Sequence, residues 1–214
     1  MRLQIKNFDN HINRLHKRYG SSHLFPIYGA GCIKNPKLAL LFMNPTARNV
    51  SAYSLWKGLR APWIGTKNVW KMFYHVGFIS KNNFDSTQKL KPFEWTEKIA
   101  IQLYRSLYRK GIYITNLAKC TQDDARPLGN DVFRAYRALT LEEIYQIDPQ
   151  SIITFGNQVS SLFVNKFIKV SEYVSNFETI RIHNKFFKVF PTYYPVGQGM
   201  RNMGKAIERI KKLV

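Results

Sequence analysis

The chain has 214 residues, 45% hydrophobic and 21% charged, a length that buries one full core and a balance that excludes a disordered chain. Its 33 Lys and Arg against 13 Asp and Glu give a formal charge of +20, so a polyanionic partner, an anionic surface or a solvated basic exterior is implied. Two cysteines, Cys32 and Cys120, are too few for a disulfide scaffold or a four-cysteine metal site, and no run nears the ~20 apolar residues of a membrane span. A reduced, cytoplasmic, soluble protein without membrane association is expected.

Ile5, Phe8, Ile12, Leu15 and Tyr19 recur at helical spacing, with Arg2, Lys6, Arg14, Lys17 and Arg18 mostly off that face; this predicts a basic amphipathic helix within residues 1–25, packed on the rest. LALLFM, Leu38 to Met43, reads as a buried strand ending on Asn44-Pro45. A helix with Val69, Phe73 and Val76 on one face stops at Gly77, and Thr96 opens another that stops at Gly111. IYITNL, Ile112 to Leu117, is the second strand, followed by a helix from Asp131 to Ile147. IITF, Ile152 to Phe155, is the third strand, with a helix from Asn157 to Phe167 behind it. TIRIHNKFFKVF, Thr179 to Phe190, alternates as two strands joined at His183-Asn184, and a last helix carries Ile207, Ile210 and Val214 on one side.

Strand alternating with helix predicts an α/β fold, a mostly parallel sheet covered by helices. Such sheets bind ligands at the carboxyl ends of their strands. The segments there are NPTARN from Asn44, NLAKCTQDDARP from Asn116, GNQ from Gly156 and TYYPVGQGMRN from Thr192. They contain no phosphate-binding glycine loop, zinc-protease motif or serine elbow. They offer instead the amides Asn44 and Asn116, aromatic rings at Trp63, Tyr193 and Tyr194, and cations at Arg48, Lys119 and Arg201. Charge is segregated: between Asn44 and Lys91 eight Lys or Arg face one acid, whereas six acids fall between Asp123 and Asp148.

An amide is no strong base, but cleavage of an N-glycosidic bond through an oxocarbenium-like state needs only a positioned water and stabilised charge. A flat ring stacks on an extruded base, and a carboxamide both donates to and accepts from a pyrimidine edge.

Five segments carry a resemblance. FMNPT (Phe42 to Thr46), APWIGT (Ala61 to Thr66), TNLAKC (Thr115 to Cys120), LEEIYQIDPQSIITFG (Leu141 to Gly156) and PTYYPVGQGMRN (Pro191 to Asn202) are similar, in order, to motifs of the uracil-DNA glycosylase superfamily. The resemblance implies a three-layer α/β/α sandwich around a central, mostly parallel four-stranded sheet, one domain over residues 1–214, acting on DNA as a monofunctional glycosylase without a cofactor or metal. It assigns Asn44 to the water and Trp63, Asn116 and Pro45 to the base. Arg48, Lys67, Lys119, Met200 and Arg201 are assigned to DNA, Met200 as a wedge into the gap left by the flipped base. Tyr194 stands where the motif carries His, and a protonated hydroxyl there can donate to the departing base. Phe42 and Thr46 replace the motif's glycines. The expected partner is single- or double-stranded DNA containing a deaminated base, most simply uracil, met by a monomer at the nucleoid. A lesion-binding protein without turnover and a glycosylase for another base such as hypoxanthine are the alternatives. Asp123 and Asp124 read as a solvated turn, Trp56 and Trp70 as packing, and none of the five histidines has a catalytic assignment.

Overall fold

In a computed structural model, residues 8–214 are described. Ile5, Arg2 and Lys6 of the amphipathic repeat lie outside them. Helix α1 covers Phe8–Tyr19, with Phe8 and Ile12 buried against Tyr28 and Leu139.

Four strands form the parallel centre: β2 (Leu38–Phe42), β3 (Ile112–Asn116), β4 (Ser151–Phe155) and β6 (Lys185–Thr192). Two antiparallel edges complete the sheet, the two-residue β1 (Ala30–Gly31) on β3 and β5 (Glu178–Ile182) on β6. The order is β1-β3-β2-β4-β6-β5, so the sheet has six strands rather than the expected four. The centre is four-stranded because helical crossovers join β2 to β3, β3 to β4 and β4 to the β5–β6 hairpin; the edges are a short pairing and one hairpin arm.

Strand residues alternate between two cores, as strands buried on both faces must. Leu38, Leu40, Phe42, Ile112, Ile114, Ile153 and Phe155 face one core, beneath α2 (Asn68–His75), α4 (Glu97–Arg109) and α7 (Met203–Lys211). Ala39, Leu41, Tyr113 and Ile152 face the other, beneath α5 (Asn130–Ile147) and α6 (Asn157–Val164). The result is a three-layer sandwich.

Thr96 caps α4 by accepting from the Ile99 N–H (3.4 Å). Helix α6 stops at Val164, not Phe167, because Asn165 turns left-handed (φ 57°) and leaves Phe167 exposed. Val214 lies past the end of α7 and is exposed, while Ile210 of the same predicted face is fully buried. Helix α3 (Lys81–Lys89) has no counterpart in the apolar pattern. It buries Asn83 and Thr87, and Asn83 bonds to Ser106 and Gln102 of α4.

The register levels the carboxyl ends. Phe42 pairs with Asn116, Leu41 with Thr154 and Phe155 with Thr192. Asn116, Phe42, Phe155 and Thr192 therefore form one rung across four strands, roughly 14 Å wide at ~4.8 Å per strand. From β2 the chain goes to β3 on one side, and β4 then lies on the other. That reversal opens a crevice between the ends of β2 and β4.

Candidate active site

The loop leaving β2 is zipped to the loop leaving β3. The Leu117 and Ala118 N–H groups donate to Phe42 O (2.8 Å) and Met43 O (3.0 Å). The Gln122 N–H donates to Pro45 O (3.1 Å), the Ala47 N–H to Gln122 O (2.7 Å), and Thr46 and Gln122 form a parallel bridge. Proline at 45 fits this corner, which uses its carbonyl and asks for no N–H. Pro45 is buried and Asn44 half-buried at the crevice. Asn44 Nδ2 donates to Pro45 O (3.1 Å), and among the described residues Oδ1 has no partner.

The Trp63 segment is held from three sides. Asn49 Nδ2 donates to Ala61 O (2.8 Å), the Val50 N–H to Ile64 O (2.9 Å) and the Tyr104 hydroxyl to Pro62 O (2.6 Å). Trp63 is left-handed (φ 70°), a conformation uncommon for a bulky residue. Its carbonyl accepts from Thr66 Oγ1 (2.8 Å), the Thr66 N–H (3.2 Å) and Trp70 Nε1 (2.9 Å), which fix the turn. Gly65 (φ 92°) follows, where a Cβ would sit 2.6 Å from Val50. Trp70 is fully buried, the packing role expected of it.

Three rings meet on Phe42. Its side chain is stacked on Phe155 (4.2 Å, 7°) and lies edge-to-face with Trp63 (5.0 Å, 75°) and Tyr194 (6.5 Å, 76°). The residue that replaces a motif glycine thus forms the floor between the ring expected to stack and the hydroxyl expected to donate. The signal was present in FMNPT, but only the register shows what the ring fills.

Tyr194 follows β6 by two residues, as Asn44 follows β2. Its hydroxyl has no hydrogen-bond partner among the described residues, and burial pushes its pKa up to about 12. Gly199 lets the next loop close over it, since a Cβ there would lie 2.0 Å from Tyr194 O. In that loop Met200 is exposed and accepts from Asn68 Nδ2 at its sulfur (3.1 Å), and Arg201 is exposed. Arg48 and Lys67 are exposed as well, Lys67 donating to Gln88 O.

Asn116 closes the other end of the rung. It is 2% exposed, yet its carboxamide has no partner among the described residues. By alternation its side chain shares the face of Phe42 and Ile114.

Two cations of the basic segments serve the fold. Lys119, expected on DNA, is fully buried and ion-paired with Glu143 (2.6 Å). Loop curvature carries it to the α5 side of the sheet, so its ammonium meets no phosphate. Arg60, in the basic run after Asn44, donates to Ser51, Tyr53 and Trp56 carbonyls and lies over the Phe25 ring (4.3 Å), bracing its loop. Asp123 and Asp124 are exposed, facing His23 (3.3 Å) and Arg126 (2.8 Å), a solvated turn as expected.

A groove of about 820 Å³ between α3 and α4, and a cavity of about 400 Å³ against β6 and α7, contain none of Asn44, Trp63, Asn116 and Tyr194. The described residues hold no group of three or more His, Cys, Asp or Glu placed to bind a metal ion. No described helix is long and apolar enough to cross a membrane.

A parallel sheet with two amides and a tyrosine at the carboxyl ends of its strands, and a tryptophan packed on the Phe42 ring there, defines an α/β protein with neutral polar groups along one edge. The family model of the uracil DNA glycosylase superfamily matches residues 29–213, and the chain belongs to that superfamily. It is 32% identical over 93 residues to the type-4 uracil-DNA glycosylase of Saccharolobus solfataricus, a match that covers 42% of this chain and 43% of that protein. Some branches of the superfamily carry an iron–sulfur cluster. Here two cysteines cannot supply its four thiolates, and the Cys120 thiol is buried and pushed up to about 11 by that burial, so the residues present do not fit one.

Proposed function

We propose that this protein is a monofunctional DNA glycosylase that hydrolyses the N-glycosidic bond of a flipped deaminated base, uracil in the first instance. The observation that carries the reading is Asn116, almost wholly buried at a strand end with its carboxamide unpartnered among the described residues. Buried amides are normally satisfied, and one left open on a ligand-facing rung is suited to a base edge. Trp63 stacks on that base, and Phe42 limits its depth. Asn44 Oδ1 accepts from the attacking water, which needs no strong base because the bond breaks ahead of attack. The Tyr194 hydroxyl donates to the departing base as negative charge collects there. Arg48, Lys67 and Arg201 meet phosphates, and Met200 enters the gap in the stack.

The test is excision of a single uracil from labelled single- and double-stranded oligonucleotides by wild type and Asn44→Ala. A loss of about 100-fold or more in the single-turnover rate is expected for Asn44→Ala, the scale of losing one oriented polar group at a reacting centre. Equal rates would remove Asn44 from the chemistry. Salt-sensitive binding by wild type, with no excision of uracil or hypoxanthine, would make this a lesion-binding protein instead.

A further inference from the structure

Fully inside the α5 side of the sheet lies a polar network that the reaction above does not use. Lys119 Nζ donates to Glu143 Oε2 (2.6 Å), to Thr115 Oγ1 (2.7 Å) and to the Asn116 carbonyl. Those three bonds use all three ammonium hydrogens, with Thr140 Oγ1 further off at 3.4 Å. Glu143 accepts from the Tyr113 hydroxyl (2.7 Å) and the Thr115 hydroxyl (3.1 Å to each oxygen). Thr140 Oγ1 donates in turn to Leu117 O (3.0 Å). The Lys119 and Glu143 side chains are 0% and 1% exposed.

Replacing a buried ion pair by an apolar pair of the same volume is often neutral or stabilising, because desolvating two charges offsets most of their attraction. The network is therefore poorly explained by stability, and its geometry suggests what it is for. Thr115 and Tyr113 bond to Glu143 on the α5 face; alternation puts Asn116 on the opposite face, with Ile114 and Phe42. Lys119 touches Asn116 only at its backbone, from behind, where it can reach neither a base nor a phosphate. Asn116 is also the last residue of β3, two beyond the Ala30–Ile114 pair at which the β1 ladder stops, so no β1 residue faces its carbonyl. The Lys119 ammonium takes that place, while Thr140 holds the next carbonyl.

We propose that the buried Lys119–Glu143 pair positions Asn116: it clamps the backbone at the end of β3 so that the carboxamide is held at one depth and angle in the crevice. This rests on Asn116 reading the base. Lys119 and Glu143 are positioning residues, and they act on base selection rather than on DNA affinity.

The experiment is a double-mutant cycle on uracil excision under single-turnover conditions, with the neutral pair Lys119→Met/Glu143→Gln, which strands no buried charge, and Asn116→Ala. The pair variant should lose between about 10- and 100-fold, the scale of a displaced positioning group, and should lose nothing further once Asn116 is Ala. Its affinity for uracil-free duplex and the salt dependence of that affinity should match wild type. Thr115→Val, which removes one hydroxyl from the network at constant shape, should show a smaller loss that likewise vanishes on Asn116→Ala. Wild-type excision by the pair variant, or losses that multiply with Asn116→Ala, would overturn the proposal while leaving the base-reading role intact. Undiminished excision by Asn116→Ala would overturn both. If the pair variant fails to fold, as read by circular dichroism, Thr115→Val decides by the same criterion.

Discussion

Tyr194 carries the most exacting demand of any single residue in this site. A group that donates to a leaving base must keep its proton across the working range, and burial holds this hydroxyl protonated by pushing its pKa up to about 12. Because it has no protein partner among the described residues, its hydrogen is available to a ligand. Tyr194→Phe removes that hydrogen and keeps the ring against Phe42. The expected result is a fall in the single-turnover rate of about 100-fold or more with little change in DNA affinity, as for other donors to developing charge. The wild-type rate should show no descending limb between pH 7 and pH 9 from this group, since it titrates far above. A Tyr194→Phe enzyme at wild-type rate would leave the base to other donors. That Asn44 and Tyr194 lie just past strand ends was legible in the sequence, because proline marks each of those ends. The place of Lys119 was not. Its position in TNLAKC looks like a basic loop, and only the fold shows that the loop turns back and delivers the ammonium to a carboxylate 24 residues on.

At the scale of elements, those built by apolar periodicity were readable and those built by polar burial were not. Helices α2, α4 and α5 and all four parallel strands follow hydrophobic spacing. Helix α3 escapes it because Asn83 and Thr87 are what it buries, and a buried amide looks like a surface amide in a sequence. Helix α1 mixes both cases. Phe8 and Ile12 were legible, but His16 is 9% exposed too, with Nε2 bonded to Leu24 O (2.7 Å). Burial lowers the His16 pKa from its usual 6.5, the bond to the Leu24 carbonyl acting the other way. The folded state thus takes up its proton at lower pH than the unfolded chain does. Below about 6.5 the unfolded state binds more protons, so stability is lost as pH falls through that value and is fully present above it. Wild type should unfold at lower urea at pH 5.5 than at pH 7.5. His16→Gln should show a flatter dependence, the gap between the two proteins narrowing on acidification. A gap unchanged from pH 7.5 to pH 5.5 would mean that this histidine carries no proton-linked stability.

For the whole molecule, a charge of +20 is carried by cations that are unevenly placed. Counterion release makes the logarithm of DNA affinity fall with the logarithm of salt at a slope near −0.9 per phosphate contacted. Total charge does not set that slope; the number of cations that reach phosphates does. The cations divide in a way the sequence does not show: Arg48 and Arg201 are exposed beside the crevice loops, whereas Arg60 is spent on loop carbonyls and Lys119 on Glu143. On uracil-free duplex from 50 to 300 mM salt, Arg48→Ala and Arg201→Ala should each flatten the slope by about 1. The Lys119→Met/Glu143→Gln pair should leave it unchanged. Arg60→Met should weaken binding only insofar as it loosens the loop, seen as lower thermal stability alongside an unaltered slope. A slope that Arg48→Ala and Arg201→Ala leave untouched would place the DNA on another face, the groove between α3 and α4 with its Lys98, Arg105 and Arg109 being the next to substitute.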